Sequence, residues 1–428
     1  MGAAFGGMPQ GLPSEGCPRA ASGKDVLGRL REGDAVSKPS IGVAVIGAGM
    51  AGRAHASGYR SAPAVFGTDL PEVRLVAIAD AHEPFAVDTA RRYGYQRAET
   101  SWEAIAGAAD IDAVSVVVAN KLHREIVEAL LDAGKHVLCE KPLAPSVADG
   151  QAMVDRAEKS DRVAAVGFTF RRSPAINAIR EQITDGSLGP AVHFSGHYWC
   201  DYGFDPDAPM SWRYKGGPGS GALADIGTHL VDIGEFLCGP VQSVHGAVLK
   251  TTTPDRPVPL GTAVGHAGGV PVSDVREPVE NEDIATFTAA FAGGATGTFS
   301  VSRVAYGLPN ALGFEVFCER GAAAFDLNRA SEFTLADQAA AGPVNGYRQV
   351  LIGPAHPYIT RGLPMDFPSV GHGQNDFFTY QARAFLDEIA GLDRLPRCPR
   401  LAEGLHNLRV LDAVVAAARG ERQTVAAP

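Results

Sequence analysis

The chain has 428 residues, 45% of them hydrophobic and 20% charged, and its 38 basic against 48 acidic side chains give a formal net charge of −10. This balance argues against nucleic acid or an anionic membrane surface as the main partner, and no apolar run reaches the ~18 residues of a membrane-spanning helix. Because no two of the six cysteines form a Cys-x-x-Cys pair, we expect a protein of the reducing cytoplasm.

Residues 1–40 differ in composition from the rest of the chain. They contain one glycine pair, four prolines and few large apolar side chains. Such a segment cannot bury enough apolar surface to offset the entropy that is lost on ordering. We therefore predict a flexible tail at residues 1–40, with a short helix at residues 26–31.

Strand-like and helix-like segments alternate from residue 41 to residue 167. The first strand is the continuous apolar run 41–46, which is typical of a parallel strand buried on both faces. The alternation predicts a doubly wound parallel sheet, the α/β Rossmann fold of a dinucleotide-binding domain, at residues 41–167. The predicted strands are 41–46, 73–79, 113–118, 136–139 and 163–167, and the predicted helices are 51–60, 84–93, a short one around Trp102, 123–133 and 146–159.

After residue 167 most strand-like runs follow one another directly. This rhythm predicts an α+β domain at residues 168–428 with a large, mostly antiparallel sheet, which we assign to substrate binding and oligomerisation. The Pro/Gly-rich stretch 253–282 predicts a long surface loop. The predicted strands are 193–199, 244–250, 285–291, 296–302, 314–318 and 322–327, and the predicted helices are 220–237, 376–390 and 402–418.

A glycine motif directly follows the first predicted strand and opens the first predicted helix. Its G-x-G-x-x-G spacing is typical of a dinucleotide-binding turn, where the glycines permit a tight turn, the approach of a pyrophosphate and close helix packing. The helix N-terminus adds N–H groups that favour phosphate. A purely structural glycine turn is the alternative. The predicted cofactor-binding residues of the turn are Gly47, Ala48, Gly49, Met50, Ala51 and Gly52.

Asp80 ends the second predicted strand, where an acidic side chain can accept hydrogen bonds from the adenosine ribose hydroxyls. The alternative is a carboxylate that only caps the strand end. The two residues that follow, Ala81 and His82, provide no arginine or lysine clamp for a 2′-phosphate. The sequence therefore favours NAD over NADP as the cofactor.

A lysine lies at the end of another predicted parallel strand, in the sequence Glu140–Lys141–Pro142. Ligands bind at this edge of a doubly wound sheet. A lysine there can hydrogen-bond a substrate oxygen and favour the loss of its proton, and the adjacent proline favours a fixed turn. A solvated surface lysine is the alternative.

Asp225 and His229 lie four residues apart in a predicted helix, so that one helix face would carry both side chains. Oxidation of an alcohol needs a base for the hydroxyl proton, and histidine titrates in the useful range. A helix-surface pair is one alternative, and a two-ligand metal fragment is another. Because no third ligand occurs at a characteristic spacing, we predict no metal site.

In this order, the glycine motif, Glu140–Lys141–Pro142 and the pair Asp225/His229 resemble the Gfo/Idh/MocA oxidoreductase family. The resemblance covers residues 41–420, and the segments 356–358 and 371–373 resemble a carbohydrate-oxidising branch that includes inositol and anhydrosugar dehydrogenases. It implies a nicotinamide cofactor, an open-faced C-terminal sheet and homodimers or homotetramers. It also implies that His229 is the general base and that Lys141 and Asp225 position and polarise the reacting hydroxyl.

The same resemblance implies further contacts with cofactor and substrate. Asn120 and His123 would border the nicotinamide, with Glu140 nearby. A sugar offers an apolar ring face and several hydroxyls, which suit an aromatic wall with polar neighbours. Trp212 as a core residue, Arg171 as an ion-pair partner and the histidines as loop residues are the alternatives. The candidate substrate-binding residues are Lys141, Arg171, Trp212, Arg213, Asp225, His229, His356 and His372.

The sequence thus predicts an NAD-dependent oxidoreductase that transfers a hydride between nicotinamide C4 and a secondary hydroxyl carbon. The expected substrate is a sugar, a sugar derivative or an inositol-like cyclitol, and nucleic acid and membranes are not expected as partners. Two alternatives stay open, a redox-neutral NAD-dependent glycosidase and a non-catalytic nucleotide-binding sensor.

Overall fold

The computed structural model describes residues 40–427 except 68, 262–269, 339–342, 344, 361, 364, 366, 368, 369 and 422. Residues 1–39, and with them the helix expected at residues 26–31, lie outside the described residues. Within the described part of the chain, no helix is long and apolar enough to cross a membrane.

Six parallel strands form the first sheet, and the alternating pattern predicts five of them, all except β3. They run in the order β3-β2-β1-β4-β5-β6, so that the order reverses between β1 and β4. Ligands bind at such a reversal in doubly wound folds. The elements are β1 (Ser40–Ile46), α1 (Met50–Ser61), β2 (Glu72–Ala79), α2 (Glu83–Tyr93), β3 (Arg97–Glu99), α3 (Trp102–Ala106), β4 (Ala113–Val116), α4 (His123–Asp132), β5 (His136–Cys139), α5 (Val147–Ala157) and β6 (Ala164–Val166).

The remaining elements build an α+β part around a nine-stranded sheet, which confirms the predicted fold class. The elements are α6 (Pro174–Thr184), β7 (Ala191–Trp199), α7 (Thr228–Cys238), β8 (Val241–Lys250), β9 (Asp255–Pro259), β10 (Val272–Pro278), β11 (Ile284–Phe291), β12 (Thr296–Ser302), β13 (Ala311–Cys318), β14 (Gly321–Asp326), β15 (Glu332–Asp337), β16 (Arg348–Leu351), α8 (Gln374–Ile389), α9 (Leu401–Ala418) and β17 (Gln423–Thr424). The strand order is β16-β15-β14-β13-β7-β12-β11-β8-β17, and every neighbouring pair is antiparallel except β7 and β12.

The structure differs from the predicted elements in several places. Strands β3, β15, β16 and β17 were not predicted. The stretch 253–282 is not only a loop, because β9 and β10 pair within it as an antiparallel ribbon. The prolines in this stretch led to the prediction of a loop, although the edges of a two-stranded ribbon tolerate proline. Helix α6 was also missed, despite a Ser173 N-cap and Pro174 at the first position. The predicted helix 220–237 is a π-helix at Leu223–Gly227 that continues as α7.

The last two helices pack back onto the parallel sheet and its helices. A Cβ at Gly58 of α1 would lie 2.7 Å from the carbonyl oxygen of Phe378 in α8, so the two helix backbones are in close contact. Arg383 of α8 is fully buried and donates to the carbonyl oxygen of Val65. Residues far apart in the chain therefore share one packed unit, and the domain bounds 41–167 and 168–428 stay a prediction.

A fully buried ion pair stabilises the C-terminal part. Arg303 Nε lies 2.8 Å from Asp283 Oδ1, and neither side chain is accessible to solvent. Asp283 Oδ2 also accepts hydrogen bonds from the backbone and side chain of Thr252. Burial alone would raise the pKa of Asp283, but these bonds and the Arg303 charge hold it below its ordinary value. The pair costs desolvation, yet all its charges are compensated.

We expect Asp283→Asn to lower the free energy of unfolding by roughly 3–5 kcal/mol, because it leaves the buried Arg303 guanidinium without its counter-charge. Guanidinium chloride unfolding followed by circular dichroism measures this loss. Asp88→Asn is the matched control, since Asp88 pairs with Arg91 and Arg92 at the surface and such pairs contribute about 1 kcal/mol or less. Equal losses of unfolding free energy in both variants would contradict the stabilising role of the buried Asp283–Arg303 pair.

Candidate active site

The carboxyl ends of β1, β2, β4 and β5 open onto a cavity of about 1780 Å³. The wall from the parallel sheet includes the glycine turn, Asp80 and Lys141. The opposite wall comes from the C-terminal part, through residues 198, 200–202, 212–213, 224–226, 229 and 373–376. The structure thus brings most of the predicted site residues to one cavity.

The glycine turn has the geometry that a dinucleotide turn needs. Gly47 has a positive φ of 101°, and a Cβ there would lie 2.0 Å from the carbonyl oxygen of Val117. A Cβ at Gly52 would lie 1.8 Å from the Gly47 carbonyl oxygen, so only glycine fits there. A Cβ at Gly49 would meet no protein atom within 4 Å. The open space at Gly49 faces the uncapped N-terminus of α1, which Met50 begins, and this fits a pyrophosphate.

Asp80 holds the glycine turn while it lines the cavity. Its Oδ2 accepts a hydrogen bond of 2.7 Å from the Ala48 N–H, and its Oδ1 accepts one of 2.8 Å from the His82 N–H. A carboxylate has about four acceptor sites, so the capping role leaves capacity for ribose hydroxyls. The Asp80 carboxylate can therefore cap the strand end and still accept hydrogen bonds from ribose hydroxyls.

The loop after β4 brings Asn120 but not His123 to the cavity. Asn120 begins a short 3₁₀ turn in the cavity wall. His123 is 1% exposed, and its ring nitrogens lie 3.0 Å from the Val118 carbonyl oxygen and 3.1 Å from that of Leu143. Burial lowers the pKa of His123 despite these carbonyls. The ring ties two loops together behind the cavity, and its predicted contact with the nicotinamide stays a prediction.

Lys141 joins the two halves of the site. Its Nζ donates a 2.7 Å hydrogen bond to the backbone carbonyl oxygen of Asp225 and lies 3.6 Å from Asp225 Oδ1. The hydroxyl of Tyr202 donates a 2.6 Å hydrogen bond to Asp225 Oδ2. Arg213 Nε lies 4.0 Å from the same oxygen. The Asp225 carboxylate is thus surrounded by donors and positive charge.

His229 lies within the cavity wall as a neutral base. Its ring is 8% exposed and packs edge-on against Phe170, with 4.8 Å between ring centroids. Burial lowers the pKa of His229 well below its ordinary value of 6.5, the positive charge of Lys141 acts in the same direction, and Asp225 opposes both. The imidazole is therefore unprotonated near neutral pH and can accept a proton.

The backbone that carries Asp225 and His229 is a π turn rather than a continuous α-helix. Asp225 lies in the π segment and His229 in the first turn of α7, so the single α-helical face that was predicted does not exist. Glu282 fixes the start of this segment, because its carboxylate accepts hydrogen bonds from the N–H groups of Gly219, Gly221 and Leu223. Single π turns often occur at functional sites.

The candidate substrate residues divide into two groups. Trp212 and Arg213 line the cavity, and the guanidinium of Arg213 lies 4.5 Å from the Trp212 ring centroid. Arg171 lies outside the cavity lining, in ion pairs with Asp232 and Glu403, each with an N–O distance of 2.6 Å.

His356 and His372 also lie outside the cavity lining. His372 is 8% exposed, and His356 accepts a hydrogen bond from the N–H of Tyr358. Burial, helped by the neighbouring His372, lowers the pKa of His356 to about 4. The structure brings neither histidine to the proposed catalytic group, and a role for them or for Arg171 in sugar binding stays a prediction.

Sequence reasoning missed three residues that organise this site, namely His55, Tyr202 and Glu282. His55 lies in a predicted helix, Tyr202 follows a predicted strand, and Glu282 lies at the end of the expected loop, and each is an ordinary residue for its segment. No spacing pattern marks them, because each partner lies far away in the chain. Among the described residues, no group of three or more His, Cys, Asp or Glu side chains could hold a metal ion.

Comparisons with known proteins agree with this geometry. Residues 41–168 match the model of the GFO_IDH_MocA oxidoreductase family with its NAD-binding Rossmann fold, and residues 176–324 match the GFO/IDH/MocA C-terminal domain. The chain is 35% identical to levoglucosan dehydrogenase from Pseudarthrobacter phenanthrenivorans over 391 residues, which cover 89% of this chain and 97% of that protein. It is 27% identical to myo-inositol 2-dehydrogenase from Thermotoga maritima over 298 residues, which cover 69% and 78%.

A solved structure extends the likeness to three dimensions. The complex of levoglucosan dehydrogenase with NADH and levoglucosan has a TM-score of 0.81 and 32% sequence identity, and the match covers 90% of this chain and 100% of that chain. Together these matches confirm the predicted family resemblance, the two-part fold and an NAD-binding domain. The roles of the individual site residues stay predictions.

Two glycine variants separate the packing of the turn from cofactor binding. We expect Gly52→Ala to destabilise the fold by about 2 kcal/mol, because its Cβ meets backbone. Gly49→Ala should leave stability unchanged, since its Cβ meets open space and its φ of −69° suits alanine. It should nevertheless weaken NADH binding by on the order of tenfold, about 1.4 kcal/mol, because the methyl group occupies the space left for phosphate.

Thermal unfolding and NADH fluorescence titration measure the two effects. Unchanged NADH affinity in a folded Gly49→Ala variant would contradict the placement of the pyrophosphate.

Proposed function

The chain belongs to the GFO/IDH/MocA family of oxidoreductases, and we propose that it is an NAD-dependent dehydrogenase that oxidises a secondary hydroxyl of a sugar, a sugar derivative or a cyclitol. The observation that carries this proposal is the convergence of Lys141, from the parallel sheet, with Asp225 and His229, from the C-terminal part, in one cavity with the glycine turn. When bound, NAD⁺ supplies the acceptor for the hydride that leaves the carbinol carbon.

Lys141 and Asp225 bind and orient the reacting hydroxyl. The ammonium of Lys141 is held in place by the Asp225 carbonyl oxygen, and its remaining N–H groups can donate to the hydroxyl oxygen. A positive charge at that oxygen stabilises the developing alkoxide. Asp225, held by Tyr202, compensates the lysine charge and keeps it in position.

His229 takes the hydroxyl proton as the hydride leaves. A general base must be unprotonated and must lie within reach of the proton that it accepts. The lowered pKa of His229, caused first by burial, fulfils the first condition, and its place in the cavity wall favours the second. The proton moves from the hydroxyl oxygen to a ring nitrogen, so that the oxidised carbonyl product is neutral.

The cavity and the relatives support the proposed substrate class. Trp212 offers an aromatic face that is 58% exposed beside the polar side chain of Arg213, and this combination suits a sugar ring. The match to levoglucosan dehydrogenase covers 89% of this chain, whereas the match to D-glucoside 3-dehydrogenase from Escherichia coli covers 49% of this chain. We therefore rank levoglucosan and related anhydrosugars first, and glycosides and inositols after them.

We further propose NAD rather than NADP as the cofactor, because Asp80 lines the cavity at the end of β2 and its carboxylate would repel a 2′-phosphate. The proposals that the chain forms homodimers or homotetramers and works in the cytoplasm rest on the family resemblance.

Replacement of the proposed base tests the reaction directly. We expect His229→Ala to lower kcat for sugar oxidation by about 10²–10⁴-fold, because general-base catalysis contributes on that order, while NADH affinity stays within a few fold. Reduced-nicotinamide absorbance with NAD⁺ and a panel of levoglucosan, glucosides and inositols provides the rates. His245→Gln, a change on β8 outside the cavity, is the control.

Activity that survives His229→Ala would contradict the role of this residue. Release of an aglycone without net NADH formation would favour redox-neutral glycoside cleavage over dehydrogenation.

The pH dependence of oxidation should reflect the burial of His229. Because burial lowers the pKa of this base well below 6.5, the rate should not decline as the pH falls through 6.5, and the acidic limb should appear only at lower pH. We expect this from kcat/KM measured between about pH 5 and about pH 8, where the free enzyme's base titrates. An acidic limb centred at or above 6.5 that disappears in His229→Ala would contradict a buried neutral base.

A further inference from the structure

Four buried polar side chains form a hydrogen-bonded chain between α1 and the residue before Lys141. The Tyr59 hydroxyl lies 2.8 Å from Ser115 Oγ, and Ser115 Oγ lies 3.1 Å from His55 Nδ1. His55 Nε2 lies 2.9 Å from Glu140 Oε1. The exposed fractions are 0% for Tyr59 and Ser115, 2% for His55 and 7% for Glu140. This chain serves no step of the reaction described above.

The donors in this chain can be assigned from its ends. An ionised carboxylate only accepts, so His55 Nε2 carries a hydrogen and donates it to Glu140. With Nε2 as the donor to Glu140, Nδ1 can accept from the Ser115 hydroxyl, and Ser115 can accept from Tyr59. Each of the three contacts contains one hydrogen in this arrangement. Burial alone would raise the pKa of Glu140. Its interactions with His55, and then the positive charge of Lys141, hold this pKa below its ordinary value.

Glu140 lies at the end of the cavity where cofactor and substrate must meet. It follows β5 directly, lines the cavity and precedes Lys141, whose charge is compensated by Asp225. A Cβ at Gly167 would lie 2.7 Å from Glu140 Oε1, so a larger residue there would displace the carboxylate. Hydride transfer to a hydroxyl carbon held by Lys141 and His229 requires the nicotinamide beside these residues, and hence near Glu140.

We propose that Glu140, held in place by His55, favours the binding of NAD⁺ over NADH. The two forms share their phosphates, riboses and adenine, and they differ in the positive charge of the oxidised nicotinamide ring. A fixed carboxylate in a site of low solvent access attracts that charge and has little effect on the neutral reduced ring. His55 is a positioning residue that acts through Glu140. The proposal rests on the NAD site and is independent of the sugar.

Cofactor affinities of the full chain without substrate test the proposal. In Glu140→Gln, which keeps the shape and loses the charge, we expect the ratio of the Kd for NAD⁺ to the Kd for NADH to rise about tenfold, or about 1.4 kcal/mol. Fluorescence titration measures NADH binding, and calorimetry measures NAD⁺ binding. A ratio that stays at the wild-type value, whether or not both affinities change, would overturn the proposal.

Matched variants of His55 test its positioning role. His55→Leu removes the donor, whereas the amide of His55→Gln can still donate to the carboxylate. We expect His55→Leu to raise the Kd ratio, His55→Gln to stay near wild type, and the double variant with Glu140→Gln to add nothing beyond Glu140→Gln. Ser115→Ala, which removes the hydrogen bonds of Ser115 to His55 and Tyr59, replaces His55→Leu if that variant does not fold. His245→Gln serves as the control for histidine replacement.

Thermal unfolding separates positioning from stability. A His55→Leu variant with a lower melting temperature but an unchanged Kd ratio would show that the residue only stabilises the fold, and would overturn its positioning role. Because no substrate is present, a shifted ratio in a protein that oxidises no sugar would contradict the proposed function alone.

Discussion

The substrate side of the cavity depends on three consecutive buried polar residues, Asn281, Glu282 and Asp283, which are 1%, 2% and 0% exposed. Asp283 compensates the charge of Arg303, and Arg303 in turn donates to the carbonyl oxygen of Arg213. Glu282 accepts three backbone N–H groups at the start of the π segment, and Asn281 also donates to the Arg213 carbonyl oxygen. Buried charges are tolerated only when their partners are complete, so this tripeptide fixes the Arg213 segment and the π segment of the same wall.

The cofactor side of the cavity depends on close backbone contacts that leave no room for a side chain. The Gly47 and Gly52 backbones approach closely, and Gly58 lets α1 pack against the backbone of α8. Helix α1 therefore has a fixed position between the parallel sheet and the C-terminal helices. It holds the glycine turn at one end and His55 in its middle, so the packing of one helix positions both the glycine turn and the carboxylate of Glu140.

The two sides meet at the contact between Lys141 and Asp225. Neither side chain could set the geometry of this contact alone, because an unrestrained lysine side chain is flexible and Asp225 lies in a π turn. The hydrogen bond from Lys141 to the Asp225 backbone, with Tyr202 on the carboxylate, restrains both. In the proposed mechanism the buried His229 accepts the proton and Lys141 stabilises the developing charge, so that the two tasks belong to different residues. Such a division suits a reaction that removes a proton and a hydride from one hydroxyl-bearing carbon.

The sequence by itself determined the parallel sheet, the glycine turn and the family resemblance, because these depend on local patterns: apolar runs such as 41–46, and glycines at fixed spacing. It also pointed to Lys141, Asp225 and His229. Only the tertiary structure decided which charged residues reach the cavity. Arg171 pairs with Asp232, 61 positions away, and with Glu403, 232 positions away, while Tyr202 and His55 meet partners that no local pattern indicates. The reason is physical, since a charge is satisfied by whichever group the packed chain places beside it.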